Sequence, residues 1–397
     1  MWRPWLLIMA FSYFGHRPYL CIMRILIAPD KFKGSLSAYQ ACMAIQNGIL
    51  KADPNFSIDI CPLADGGDGT IDVISNHLEA RRIFAKARDP LGRSIETSYL
   101  MSGETAYIEM ASASGLVLLE EEEQNPLFTS TYGTGELMMD AITRGAKEIY
   151  LFVGGSATTD MGIGMAQALG YAFIDKDNQE VPPVGVSMPF IMEIKKKLKY
   201  DPELIRFFAV CDVDNPLYGE NGAAYVYAQQ KGADSEAVEM LDKGLRKLSK
   251  RCQQYLDRDV SQEKGGGAAG GIGAGVIAFL DGQLISGIEF MLDLAGLEAK
   301  VKKADLVITG EGKIDAQTLH GKTINGVAQL AQQYNKPLWV LAGSSDLSKT
   351  DMTQLGIQKL GQIMSRATSL QDAMGDAGIY LETIAYDMMR EQSPKSS

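Results

Sequence analysis

A chain of 397 residues exceeds one ordinary core of about 150 residues and points to two α/β domains. With 46% hydrophobic and 22% charged residues it is not a disordered chain, and a net charge of -11 excludes a surface that coats nucleic acid, which needs a basic footprint. The five cysteines form no CxxC pair and no spacing with histidine, so neither a zinc site nor a disulfide scaffold is supported; they read as reduced thiols of a cytoplasmic protein.

Residues 1–22 are rich in Trp, Tyr and Phe. Their apolar run is short, lacks a cleavage site, and is interrupted by Gly15, His16, Arg17 and Pro18 well before the ~20 apolar residues a membrane span needs. They read as an extension outside the fold, with Met23 as the natural start and no membrane partner.

Residues 24–28 read as a strand feeding a loop with Asp30, Lys31 and Lys33, then an amphipathic helix to residue 50 capped by Ser35 or Ser37. Lysines in such a loop suit a phosphate or carboxylate, and equally a solvated surface. A second strand, 57–61, opens into PLADGGDGT, with a helix to residue 79. Asp65 and Asp68, three apart among glycines, suit a shared Mg²⁺ or a substrate hydroxyl, because a hard cation takes carboxylate oxygens. An ordinary Asp-Gly turn gives the same spacing.

From residue 81 the texture changes to short alternating runs, RRIFAKARD, SIETSYLM and TAYIEM, as in consecutive antiparallel strands. The acidic run 120–123 reads as a solvated face. After a helix over 135–143, a buried strand at 149–153 opens into GGSATTDMGIG and a helix at 165–169. Here Gly154, Gly155, Ser156, Ala157, Thr158 and Asp160 suit a phosphate cradle, since small side chains let backbone N–H groups approach an anion. Close helix-on-strand packing is the alternative. Gln167 stands where a dinucleotide fingerprint wants its third glycine.

A strand at 207–211 ends in Asp212, Asp214 and Asn215, which suit an ion, a ribose or a plain turn before Pro216. Helical spacing follows over 235–255. The glycine cluster 265–275 contains a literal GxGxxG but follows a polar SQEK, so it reads as a ligand loop using Gly266, Gly267, Gly270 and Gly271 ahead of a helix at 276–280. A helix over 288–303 precedes a buried run, 306–308, that drives into a small-residue turn with Gly310, Glu311, Lys313 and Asp315. Beyond it, AQTLHGKT lacks the first glycine of a P-loop, though Lys322 suits a phosphate; His320 reads as a loop residue. A helix to 334, strands at 338–341 and 358–363, and a helix over 371–389 complete the chain. The ends of the strands near 28, 61, 308 and 341 all carry Gly with Ser, Asp or Lys, which implies one shared active edge.

Taken together, APDKFKGSLSA, PLADGGDGT, GGSATTDMGIG, CDVDNPL, GGGAAGGIGAG and VITGEGKID with its QTLHGK tail resemble the type 1 glycerate kinase family, from residue 23 to about 389. The resemblance implies a flavodoxin-like parallel-sheet α/β domain, 23–80 and 284–397, split by a large inserted α/β domain, 81–283. It implies transfer of the γ-phosphate of ATP to D-glycerate, usually giving the 2-phosphate, with Mg²⁺ as cofactor. The residues allot roles by chemistry: Lys31, Lys33, Lys313 and Lys322 for positive charge, Asp65, Asp68, Glu311 and Asp315 for metal or proton, Asp30 and Gly310 for substrate or phosphate, Asp65 with Asp212 as metal candidates, and Gly154, Gly155, Ser156, Ala157, Thr158 and Asp160, with Gly266, Gly267, Gly270 and Gly271, for the nucleotide. A homo-oligomer is compatible with the sequence. A non-catalytic nucleotide- or anion-binding protein and a nicotinamide dehydrogenase are the rival readings.

Overall fold

The structure, a computed structural model, describes residues 22–67, 69–314 and 323–391. Its strands in chain order are β1 (Arg24–Ile27), β2 (Ser57–Ile60), β3 (Arg81–Arg88), β4 (Ser94–Ser102), β5 (Thr105–Glu109), β6 (Glu148–Phe152), β7 (Tyr171–Ile174), β8 (Glu193–Lys196), β9 (Arg206–Val210), β10 (Gln283–Ile285), β11 (Leu306–Ile314), β12 (Leu338–Ser345) and β13 (Ile357–Gln362). A five-stranded sheet has the order β2, β1, β11, β12, β13, and every pairing in it is parallel. That is the flavodoxin order, whose switch point lies between β1 and β11.

The sheet is parallel because its central strands are apolar on both faces. Ile25, Ile27 and Trp339 pack toward the helices Ala38–Ala52 and Ala377–Arg390, while Leu26, Val307 and Val340 pack on the opposite side with Leu297 and Val327. Ser37 caps the first of these helices in a capping box with Gln40.

The second sheet, six-stranded, runs β10, β9, β6, β5, β4, β3. Strands β3, β4 and β5 pair antiparallel, as their alternation predicts, whereas β5, β6, β9 and β10 pair in parallel. A cluster containing Ala64, Ile71, Tyr107, Phe152, Val210 and Met291 joins the two sheets. Cys42, Cys61, Cys211 and Cys252 are free thiols, and no helix among the described residues is long and apolar enough to cross a membrane.

Several elements differ from the sequence reading. The turn expected from residue 309 is strand, because β11 continues to Ile314 beside an equally long β12. The helix expected over 288–303 is two helices, Gly287–Leu294 and Leu297–Lys303, parted at Gly296, which adopts φ +57°. The last helix also divides, into Leu370–Gly375 and Ala377–Arg390. The helix after PLADGGDGT covers only Thr70–Ile74, and the one after the second glycine cluster starts early, at Ala268, with left-handed residues inside it.

Candidate active site

All strands of the five-stranded sheet point their carboxyl ends at one edge, and β1 and β11 at its switch point carry the densest chemistry there. The Asp30 N–H donates to the Gly310 carbonyl at 2.8 Å, holding the loop after β1 against β11. The buried Asp30 carboxylate accepts the Lys31 N–H at 2.6 Å and the Thr323 hydroxyl at 2.8 Å. Burial, and then repulsion from Asp65, raise its pKa to about 7. Gly312 brings β11 so close to this loop that a Cβ there would stand 3.2 Å from the Lys33 backbone nitrogen.

After β2, Asp65 folds back to accept the Gly67 N–H at 3.0 Å. Lys31 reaches the same turn, for a Cβ on Gly67 would lie 3.0 Å from Asp65 Oδ1 and 3.7 Å from Lys31 Nζ. Lys31, Lys33 and Asp65 line two adjoining cavities. The smaller, about 390 Å³, continues along Asp30, Glu311, Gly312, Lys313 and Ser344. The larger, about 960 Å³, continues across Gly66 and Gly67 to the strand ends of the second sheet: Gly154, Gly155 and Ser156 after β6, and Asp212, Asp214 and Asn215 after β9. The two sheets meet closely here, since a Cβ on Gly154 would lie 2.8 Å from the Gly67 Cα.

Asp212 Oδ1 accepts the Ser286 hydroxyl at 2.9 Å and the Gly287 N–H at 2.8 Å, and burial raises its proton affinity, with Asp65 adding to the shift. Lys231, which the sequence reading missed, is buried at the wall of the larger cavity. Its ammonium donates to Ser156 Oγ at 2.7 Å and the Thr158 carbonyl at 2.6 Å, so it fixes the shape of the GGSATT turn. Burial pulls its pKa down to about 7.

Other residues singled out in the sequence stand away from these cavities. Asp160 is 1% exposed; its Oδ2 accepts the Thr131 N–H at 3.1 Å and hydroxyl at 2.7 Å, its Oδ1 the Gly162 N–H at 3.0 Å, and it braces the turn from behind. Ala157 and Thr158 are likewise fully buried. Gly266, Gly267, Gly270 and Gly271 do not line the larger cavity, where Ala268 and Ala269 stand instead. The Gly267 N–H donates to the Asn215 carbonyl at 2.9 Å, and Gly270 abuts Thr158, so these glycines seat one loop on another. Gly310 lies inside β11 against Leu341. Asp68, Asp315, His320 and Lys322 lie outside the described residues.

The profile of the glycerate kinase family matches residues 25–393. The chain belongs to the glycerate kinase family. Membership makes it an enzyme, a phosphotransferase of the glycerate kinase type. It is 43% identical over 365 residues to a glycerate kinase of Halalkalibacterium halodurans, covering 91% of this chain and 96% of that one. It is 40% identical over 361 residues to a glycerate 2-kinase of Escherichia coli, covering 89% and 94%. A crystal structure described as a glycerate kinase 2 of Salmonella typhimurium LT2 superposes with a TM-score of 0.82 at 38% identity, covering 93% and 98% of the two chains.

Proposed function

We propose that this enzyme moves the γ-phosphoryl group of ATP onto the 2-hydroxyl of D-glycerate, giving 2-phosphoglycerate and ADP in the cytoplasm. The observation that carries this reading is that Lys31, Lys33 and Asp65 line both cavities, so two substrates in them would meet at these three side chains. The 2-hydroxyl is favoured by the name of the Escherichia coli relative.

Transfer forms a bond from the glycerate oxygen to the γ-phosphorus and breaks the bond to the β,γ-bridging oxygen. Catalysis here is mainly positioning and charge stabilisation. Lys31 and Lys33 place positive charge on the transferring group, and Asp65 accepts the hydroxyl proton. Lys231, by holding Ser156, shapes the wall that the acceptor faces. Asp212 presents hard carboxylate oxygens to the larger cavity, which would suit Mg²⁺. When bound, it would neutralise charge on the phosphate oxygens.

Incubation of the purified protein with ATP, Mg²⁺ and D-glycerate, with the products resolved by ³¹P NMR, tests the reading. The 2-phosphate is expected. The 3-phosphate would overturn the choice of hydroxyl, and no phosphoglycerate from folded protein would overturn the ATP-dependent reaction.

A further inference from the structure

The smaller cavity has two chemically unlike ends. One part of its lining is charged, with Lys31, Lys33 and Lys313 among the carboxylates Asp30, Asp65 and Glu311, while the other limb is apolar, walled by Phe32, Ile363, Met364, Leu370, Ala373 and Met374. Phe32, Ile363 and Ala373 are buried, but Met364, Leu370 and Met374 leave 38%, 65% and 40% of their surface exposed around the rim. Large apolar side chains left uncovered beside a cavity mark a binding surface rather than a finished core. Methionine at such a rim adapts to a flat ring and makes favourable sulfur contacts with it.

Glycerate cannot use this limb. It has three carbons, each bearing oxygen, so burying it against methionine and leucine would strip its polar groups of water without replacement. A heteroaromatic base has the opposite character, with an apolar face that such side chains cover. The volume, about 390 Å³, lies within the roughly 300–1,000 Å³ common for small-molecule sites. The two ends are also mechanically joined. The Ser35 hydroxyl donates to the Met374 carbonyl at 2.6 Å, tying the loop that bears Lys31 and Lys33 to the helix Leu370–Gly375. Gly34, at φ +74°, lies so close that a Cβ would meet Met374 Cε at 2.9 Å.

We infer that the apolar limb beside Met364, Leu370 and Met374 is the subsite for the purine base of the nucleotide donor. The polyphosphate then runs to Lys31 and Lys33, and the larger polar cavity is left to the acceptor. The inference rests on the ATP-dependent reading and places the base on the five-stranded sheet, away from the Gly154–Ser156 turn where the sequence reading put the nucleotide. That turn, at the far side of Lys31 and Asp65, faces the transferring phosphoryl group and the acceptor.

Photolabelling of the wild-type enzyme with 8-azidoadenosine triphosphate, followed by peptide mass spectrometry, tests the assignment directly. Label is expected within residues 363–377. In parallel, Met374→Gln, similar in length but polar, is expected to raise the KM for ATP about tenfold, a loss of about 1.4 kcal/mol. Its KM for glycerate should stay within about twofold. Label on residues 154–156 or 268–269, or a rise confined to the glycerate KM, would overturn the base subsite while leaving ATP as donor. Wild-type protein that makes no phosphoglycerate from ATP would overturn the donor, and this inference with it.

Discussion

At the scale of single residues, Lys231 makes the sharpest demand. Its ordinary pKa of 10.5 falls to about 7 because burial disfavours the charged form. Between those values the unfolded chain holds a proton that the native state has released, so this lysine's contribution to stability rises with pH through that window. Below about 7 the native state bears the full cost of the buried charge. Lys231→Met removes the titration and leaves the Thr158 carbonyl without its donor, a loss of roughly 1–3 kcal/mol. The stability of the wild type relative to this variant is therefore expected to rise by roughly 2 kcal/mol from pH 6 to 8.5. Denaturant unfolding at the two pH values measures it, and a constant gap would count against a titrating lysine. Asp65 invites a different experiment. An amide oxygen can still accept the Gly67 N–H but cannot take a proton, so Asp65→Asn is expected to lower kcat about a hundredfold with near-normal melting. Glu311→Gln, at a position only 9% exposed in β11, should lower kcat on a similar scale, about a hundredfold, if its charge orders the lysines around it. Retained turnover in both would move the proton acceptor to Asp68 or Asp315.

At the scale of elements, the two glycine-tipped turns touch through their backbones. With Gly154 facing the Gly67 Cα, a methyl group there has to push the strand end of one sheet away from that of the other. A displacement near 1 Å between reacting groups costs about 10²-fold in rate, so Gly154→Ala is expected to lower kcat on that scale with only a modest fall in melting temperature. Unchanged kcat would mean that the turns yield elsewhere. The strand ends were legible because, in an α/β chain, a buried apolar run followed by Gly, Asp and Lys arises chiefly where a parallel strand reaches the ligand-binding edge of its sheet. Their local shape was not. Gly310 and Gly312 look like turn residues in sequence, yet they serve close approach inside β11, one against Leu341 and the other against the loop after β1. Whether a glycine bends a chain or admits a neighbour depends on that neighbour. The same holds for Gly270 and Gly271, which seat their loop on Thr158, Met161 and Leu217 instead of lining the cavity. Lys231 left no trace, since a lysine in QQKGAD is ordinary until the fold buries it.

At the scale of the molecule, the two sheets are coupled through the helix Gly287–Leu294, which the sequence blends into a longer one. Phe290 from this helix packs on the second sheet, with ring centroids 4.9 Å from Tyr150 and 5.6 Å from Phe152. Ile288 packs the other way, toward Gly326 of the helix Thr323–Gln333 beside the five-stranded sheet. The helix start is held by Asp212, whose carboxylate accepts its first N–H group where the helix dipole favours negative charge. Packing between the sheets and the placement of a cavity carboxylate therefore share one element. Phe290→Ala removes a half-buried ring and is expected to cost roughly 2–4 kcal/mol. It should also raise the Mg²⁺ concentration needed for half-maximal rate, because a shifted helix start moves Asp212. Calorimetry together with a Mg²⁺ titration of the rate separates these effects. A lower melting temperature with an unchanged Mg²⁺ requirement would reduce the helix to packing alone. A raised requirement in both Phe290→Ala and Asp212→Asn, with only the former less stable, would tie the join between the sheets to the chemistry at their shared edge.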